Sequence, residues 1–156
     1  MKDAQKKQSR WPALAALAVA AALGSGCGGI QTRVHKGSVD TVIDQKPSRF
    51  RFVEAIGIGA SDPTLASDTQ RKALARDAAI VKAQYEMLSM IKGVSLEGGI
   101  TVDRAIESSS NLQTKIQEAI RGAEILKSEF TADNGCVVTL RLPKARLEAM
   151  MGVRFK

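Results

Sequence analysis

The stretch Leu23-Gly24-Ser25-Gly26-Cys27 limits what this chain can fold into, because the residues before it read as an address and those after it as the folding unit. Ahead of it lie a positive segment, with Lys2, Lys6, Lys7 and Arg10 against the single acid Asp3, and then the apolar run Pro12 to Leu23. That order is the anatomy of a secretory signal. The run is long enough to engage a translocation channel and short of the roughly 20 apolar residues a spanning helix needs. Gly24, Ser25 and Gly26 are small, as a signal peptidase requires ahead of its cleavage site. Cys27 is therefore expected to carry lipid and to begin the mature chain. The segment resembles a bacterial lipoprotein signal, whose motif is Leu-small-small-Cys. Here Leu23 stands one place early and Gly24 holds the leucine position. An ordinary secreted protein and a short uncleaved anchor are the alternatives.

Residues 1–26 are thus a signal peptide, 27–48 a lipidated N-terminus with a tether, and 49–156 a single domain. The mature chain of about 130 residues suits one compact domain. Removing residues 1–26 takes away four bases and one acid, lowering the net charge from +7 to +4. That mild, scattered charge argues against a nucleic-acid surface. With Cys27 lipidated, Cys136 stands alone and forms no intramolecular disulfide. Its setting, Gly-Cys-Val-Val-Thr-Leu-Arg-Leu, predicts a small buried residue in a strand rather than a reactive thiol.

Residues 28–48 are polar and without a sustained period, and read as a flexible tether reaching roughly 70 Å at about 3.4 Å per residue. Val39, Val42 and Ile43 could form a short docking element within it. His35, the sole histidine, is expected to be solvated there, since a metal site needs several converging donors. Phe50 to Gly59 reads as the first strand, with Gly57 and Gly59 letting a neighbouring backbone come close. The end of this strand, Gly57-Ile58-Gly59-Ala60-Ser61-Asp62, imitates a dinucleotide-binding loop. Asp62 stands where that fingerprint needs a glycine, and its charge would repel a pyrophosphate.

A long helix follows, capped by Thr64 or Ser67 and stopped at Gly93. Leu74, Ala78, Val81, Tyr85 and Leu88 recur at helical spacing and are expected to face the core, with Ala75, Ala79 and Ala83 flanking them. Val94 to Val102 reads as a strand kinked at Gly98-Gly99. A second helix, capped within Ser108 to Asn111, carries Leu112, Ile116 and Ile120 and ends near Gly122. Ala123 to Ala132 and Cys136 to Leu142 form a hairpin about Asp133-Asn134-Gly135. Pro143 then opens a short helix, Ala145 to Met151, with Leu147 and Met150 or Met151 inward. The expected core comprises Leu74, Val81, Tyr85, Leu88, Leu112, Ile116, Val138 and Leu140. The expected class is α+β, a mainly antiparallel sheet of about four strands with two main helices on one face and a short C-terminal helix.

Four segments carry a family resemblance. They are Val53-Glu54-Ala55-Ile56-Gly57-Ile58-Gly59-Ala60, the alanine-rich helix Arg71 to Ile91 closed by Lys92-Gly93-Val94, Ile120-Arg121-Gly122, and Val137-Val138-Thr139-Leu140-Arg141-Leu142. Together they resemble the LPP-twenty lipoprotein family, which includes flagellar assembly lipoproteins of the FlgP kind, over about residues 50–150. The resemblance implies a lipid-anchored protein on the periplasmic face of the outer membrane, without a catalytic centre. Its flagellar members build rings or disks around the motor. The expected partners are the membrane, through lipid on Cys27, and either further copies of the chain or envelope and flagellar proteins. No catalytic, metal or cofactor constellation is legible: the domain beyond residue 48 has no histidine, no cysteine pair and no nucleophile elbow. The alternative function is a monomeric periplasmic binding lipoprotein with a small-ligand pocket, for which aromatic lining residues are scarce.

Overall fold

The structure is a computed structural model that describes residues 31–39 and 51–156. Cys27, the signal region, Val42, Ile43 and Phe50 lie outside those residues.

The fold is α+β, with four helices and two antiparallel sheets among the described residues. A two-residue turn at Lys36-Gly37 joins β1 (Val34–His35) to β2 (Ser38–Val39), pairing Val34 with Val39. Strand β3 (Phe52–Gly59) leads into α1 (Asp68–Lys92), then α2 (Val102–Ser108) and α3 (Ser110–Arg121). Strands β4 (Glu124–Phe130) and β5 (Cys136–Pro143) and helix α4 (Lys144–Met151) complete the chain. The main sheet has three strands, in the order β3-β5-β4, rather than about four.

The missing strand is the one expected over Val94 to Val102. Gly98 and Gly99 both take positive φ, 110° and 82°, a conformation that closes a tight turn and is open to glycine at little cost. The Leu96 N–H donates to the Ile100 carbonyl at 2.8 Å, and the flanks meet only through single bridges, Ser95 with Thr101 and Leu96 with Phe155. Thr101 then caps α2, its hydroxyl accepting from the Arg104 N–H. The glycine pair therefore reverses the chain instead of kinking a strand, and a short helix takes up Val102. Arg154 and Phe155 tie the C-terminal segment to the same turn, through the Glu97 N–H on the Arg154 carbonyl at 3.0 Å.

The remaining elements follow the sequence closely. Ser67 stands at the N-cap of α1 with Asp68 in its first turn, and Gly93 follows its last. Ser109 begins α3 and Gly122 ends it. Asn134, at φ 66°, makes the left-handed turn between β4 and β5. Pro143 precedes α4, whose Leu147 and Met151 are buried.

The main correction concerns which side of α1 is inside. Leu74, Val81 and Tyr85 are 53%, 65% and 65% exposed, whereas Ala75, Ala79, Ala83, Met87 and Ile91 are buried. The cause lies in β3. A Cβ built on Gly57 would lie 2.9 Å from Ala83 Cα, and one on Gly59 would lie 2.7 Å from Ala79 N. The helix backbone rests on the two glycines, and at that separation only alanine fits on the facing side. The bulkier stripe is turned outward. Leu88 and Leu112 are half-buried against the core, while Ile116, Val138 and Leu140 are buried as expected. One apolar cluster joins Val53 and Ala55 of β3, alternate residues of β5, and buried side chains of α1, α3 and α4.

The second correction concerns the tether. Residues 31–39 do not hang free but lie on the domain. The Arg33 N–H donates to Glu129 Oε2 at 2.9 Å, Lys127 Nζ donates to Thr32 Oγ1 at 2.7 Å, and the Ala132 N–H donates to the Gly37 carbonyl at 2.9 Å. His35 is exposed within β1 and, like its neighbours, belongs to this packed segment.

Candidate functional site

Alternation along β5 separates two faces of the sheet. Cys136, Val138, Leu140 and Leu142 join the core, and their partners on β3 are Gly59, Gly57, Ala55 and Val53. The intervening residues point to the opposite face, where Glu54 pairs with Arg141, and Lys127 and Glu129 of β4 stand beside Thr139 and Val137. Arg141 donates to Glu54 Oε1 through Nε and Nη2 at 2.9 and 2.8 Å, with its guanidinium 4.6 Å from the centre of the Phe52 ring. This cluster has its charges paired and its ring covered, so it pins β3 to β5 rather than offering a reactive group.

Glu129 is the most enclosed acid of the segment contact. Burial works to raise its pKa, but donation from the Arg33 N–H, the hydrogen bond and charge of Lys127, and the Val34 N–H together hold it below its ordinary 4.5. Lys127 Nζ lies 3.1 Å from Glu129 Oε1. Glu129 is thus a charged clasp for the backbone of residues 33 and 34.

A cleft of about 490 Å³ opens between residues 37–39, the end of β3 and the β4–β5 turn. Its titratable lining groups are Asp133 and Cys136. The Thr131 hydroxyl and nearby backbone N–H groups lower the Asp133 pKa, while burial raises that of the Cys136 thiol. Near neutrality the first stays a carboxylate and the second a thiol, so neither is poised for proton transfer. Cys136 is buried in β5 and unbridged, in agreement with the small-residue expectation. The glycines that imitate a dinucleotide-binding loop are buried under α1, and the Asp62 carboxylate accepts from the Thr64 N–H and hydroxyl. Among the described residues, no group of three or more histidine, cysteine, aspartate or glutamate side chains could hold a metal ion, and no helix is long and apolar enough to cross a membrane.

The surface that stands out is the outer side of α1. Leu74, Val81 and Tyr85 are exposed on one stripe, bordered by Ala78 and Leu88. Beside Tyr85 and Leu88 a cleft of about 200 Å³ separates α1 from α3, lined also by Gln84, Gln117, Ile120 and Arg121. Lys82 is drawn to Glu86 at 2.7 Å and lies over the Tyr85 ring at 5.2 Å. Ordinary surface helices show polar residues on this side, and a contiguous apolar strip marks an interaction surface. The sequence contained the signal for it: glycines two apart in β3 matched to alanines four apart in α1, a pair of patterns that requires close backbone contact and leaves the larger residues outside. Cys27, the residue expected to carry lipid, lies outside the described residues. Compared with protein-family models, curated proteins and solved structures, the chain matches none.

Proposed function

We propose that this chain is a lipoprotein of the outer membrane, anchored through Cys27 on the periplasmic face, that acts structurally by assembling with further copies of itself. The exposed stripe of Leu74, Val81 and Tyr85 carries the proposal, because burying it requires a partner. Lipid anchoring raises local concentration and so lowers the entropic cost of association. Apolar residues elsewhere, Ile125 and Phe130 on the edge strand β4, are also exposed. Two different patches are what a head-to-tail contact needs, and such a contact closes into a ring when its rotation allows. The resemblance to LPP-twenty lipoproteins points the same way, toward a flagellar ring or disk. In this account α1 and α3 share one face of the sheet.

The test combines anchoring and assembly. A palmitate analogue is expected to label the wild type and not Cys27→Ser. The lipidated protein is expected to behave as an oligomer, and cells lacking the gene to swim poorly. Equal labelling of both proteins would overturn the anchor. A labelled monomer with normal motility would favour the small-ligand binding lipoprotein instead.

A further inference from the structure

The packed segment 31–39 bears on how an anchored domain stands on the bilayer. Resting on the lipidation of Cys27 proposed above, we infer that residues 31–39 act as a clasp, which shortens the anchor so that the sheet face carrying Lys127 and Glu129 meets the lipid headgroups, while the α1 stripe, and Ile125 and Phe130 on the other face of β4, are held off them.

Only residues 28–31 separate Cys27 from Thr32, the first of the described residues with a side-chain hydrogen bond to the domain. Five Cα–Cα steps at roughly 3.4 Å each reach at most about 17 Å. A free tether over residues 28–48 would reach roughly 70 Å and impose no orientation. Contacts of the segment on the domain set the short length: Lys127 on Thr32, the Arg33 and Val34 N–H groups on Glu129, and the Ala132 N–H on the Gly37 carbonyl.

The clasp and the stripe lie on opposite faces. Lys127 and Glu129 share a face with Thr139 and Val137, whereas α1 rests on Gly57 and Gly59, which pair with Val138 and Cys136 on the other. From Thr32 across the sheet to the outer surface of α1 is on the order of 20 Å, given a helix about 10 Å across. Laying the stripe on the bilayer would raise Thr32 by that distance, beyond even the extended anchor. An amphipathic helix with exposed leucine, valine and tyrosine invites a membrane-surface assignment. The short anchor opposes it and leaves the stripe to protein. The sheet face that meets the headgroups carries Lys127 and Arg141 against Glu54, Glu124 and Glu129, with Arg33 and Lys36 on the packed segment, so its charge is close to balanced and the short anchor, not lipid charge, sets the orientation.

The experiment uses the lipidated protein in vesicles of phosphatidylethanolamine and phosphatidylglycerol containing a headgroup-linked energy acceptor. A fluorophore is placed at Ser38→Cys or at Val81→Cys, both exposed positions. Quenching is expected to be several-fold stronger at position 38 than at 81. Inserting a Gly/Ser stretch of about ten residues after Ile30 is expected to erase most of that difference. Equal quenching at the two positions, or stronger quenching at 81, would overturn the orientation. A difference that survives the insertion would show that lipid contacts, not the clasp, set it, and would also overturn the inference. Failure to partition with vesicles would instead overturn the lipid anchor itself.

Discussion

Gly57 of β3 lies directly beneath Ala83 of α1, so close that a Cβ on the glycine would stand 2.9 Å from the alanine Cα. This contact sets the helix–sheet distance and thereby decides which stripe of α1 is buried. Gly57→Ala should push the helix off the strand and cost about 1–3 kcal/mol or more, as overpacking does. A urea unfolding series measures this. An unchanged midpoint would mean that the helix yields freely at this point.

The two sides of α1 should respond differently to truncation. Met87 is fully buried in the cluster, and Met87→Ala should cost about 2–5 kcal/mol. Val81→Ala on the exposed stripe should change stability by no more than about 0.5 kcal/mol in the isolated domain. Equal losses from the two variants would contradict the observed orientation.

That contrast also shows how far the sequence could be read. The α+β class, the long helix with its Ser67 start and Gly93 stop, the β4–β5 hairpin and the burial of Cys136 are encoded by local signals, namely periodicity, caps and turn residues. The orientation of α1 is not local. Apolar size favours Leu74, Val81 and Tyr85 as core, and is overruled by two glycines in the preceding strand, beyond the reach of the helix's own periodicity. The packed segment 31–39 was hidden for a similar reason. Its polar composition reads as a tether, but a two-residue turn and the Glu129 carboxylate satisfy its backbone on the domain. The lipid site rests on signal anatomy alone.

Glu129 gives the clasp a pH dependence. Its pKa is lower in the folded chain than the ordinary 4.5, so it favours the clasped state above that value, and the contribution is lost as pH falls through the lower, folded value. Backbone chemical shifts of Arg33 and Val34 followed by NMR should titrate below pH 4.5, and Glu129→Gln should abolish that titration. Unaltered titration in the variant would remove Glu129 from the clasp.

In a Cys27→Ser background Cys136 is the remaining thiol. It is buried, and burial raises its pKa, so a thiol reagent should label it slowly in the native state and at once in denaturant. Fast native labelling would show that β5 opens locally.

Assembly through the outer side of α1 is the central claim, and the mass of the lipidated protein in detergent, measured by light scattering with the detergent contribution subtracted, tests it most directly. The wild type should be an oligomer. Val81→Glu combined with Tyr85→Glu should be a monomer of unchanged helical content, since both residues are exposed and bear little on the core. A monomeric wild type, or an oligomer indifferent to both charges, would contradict the account.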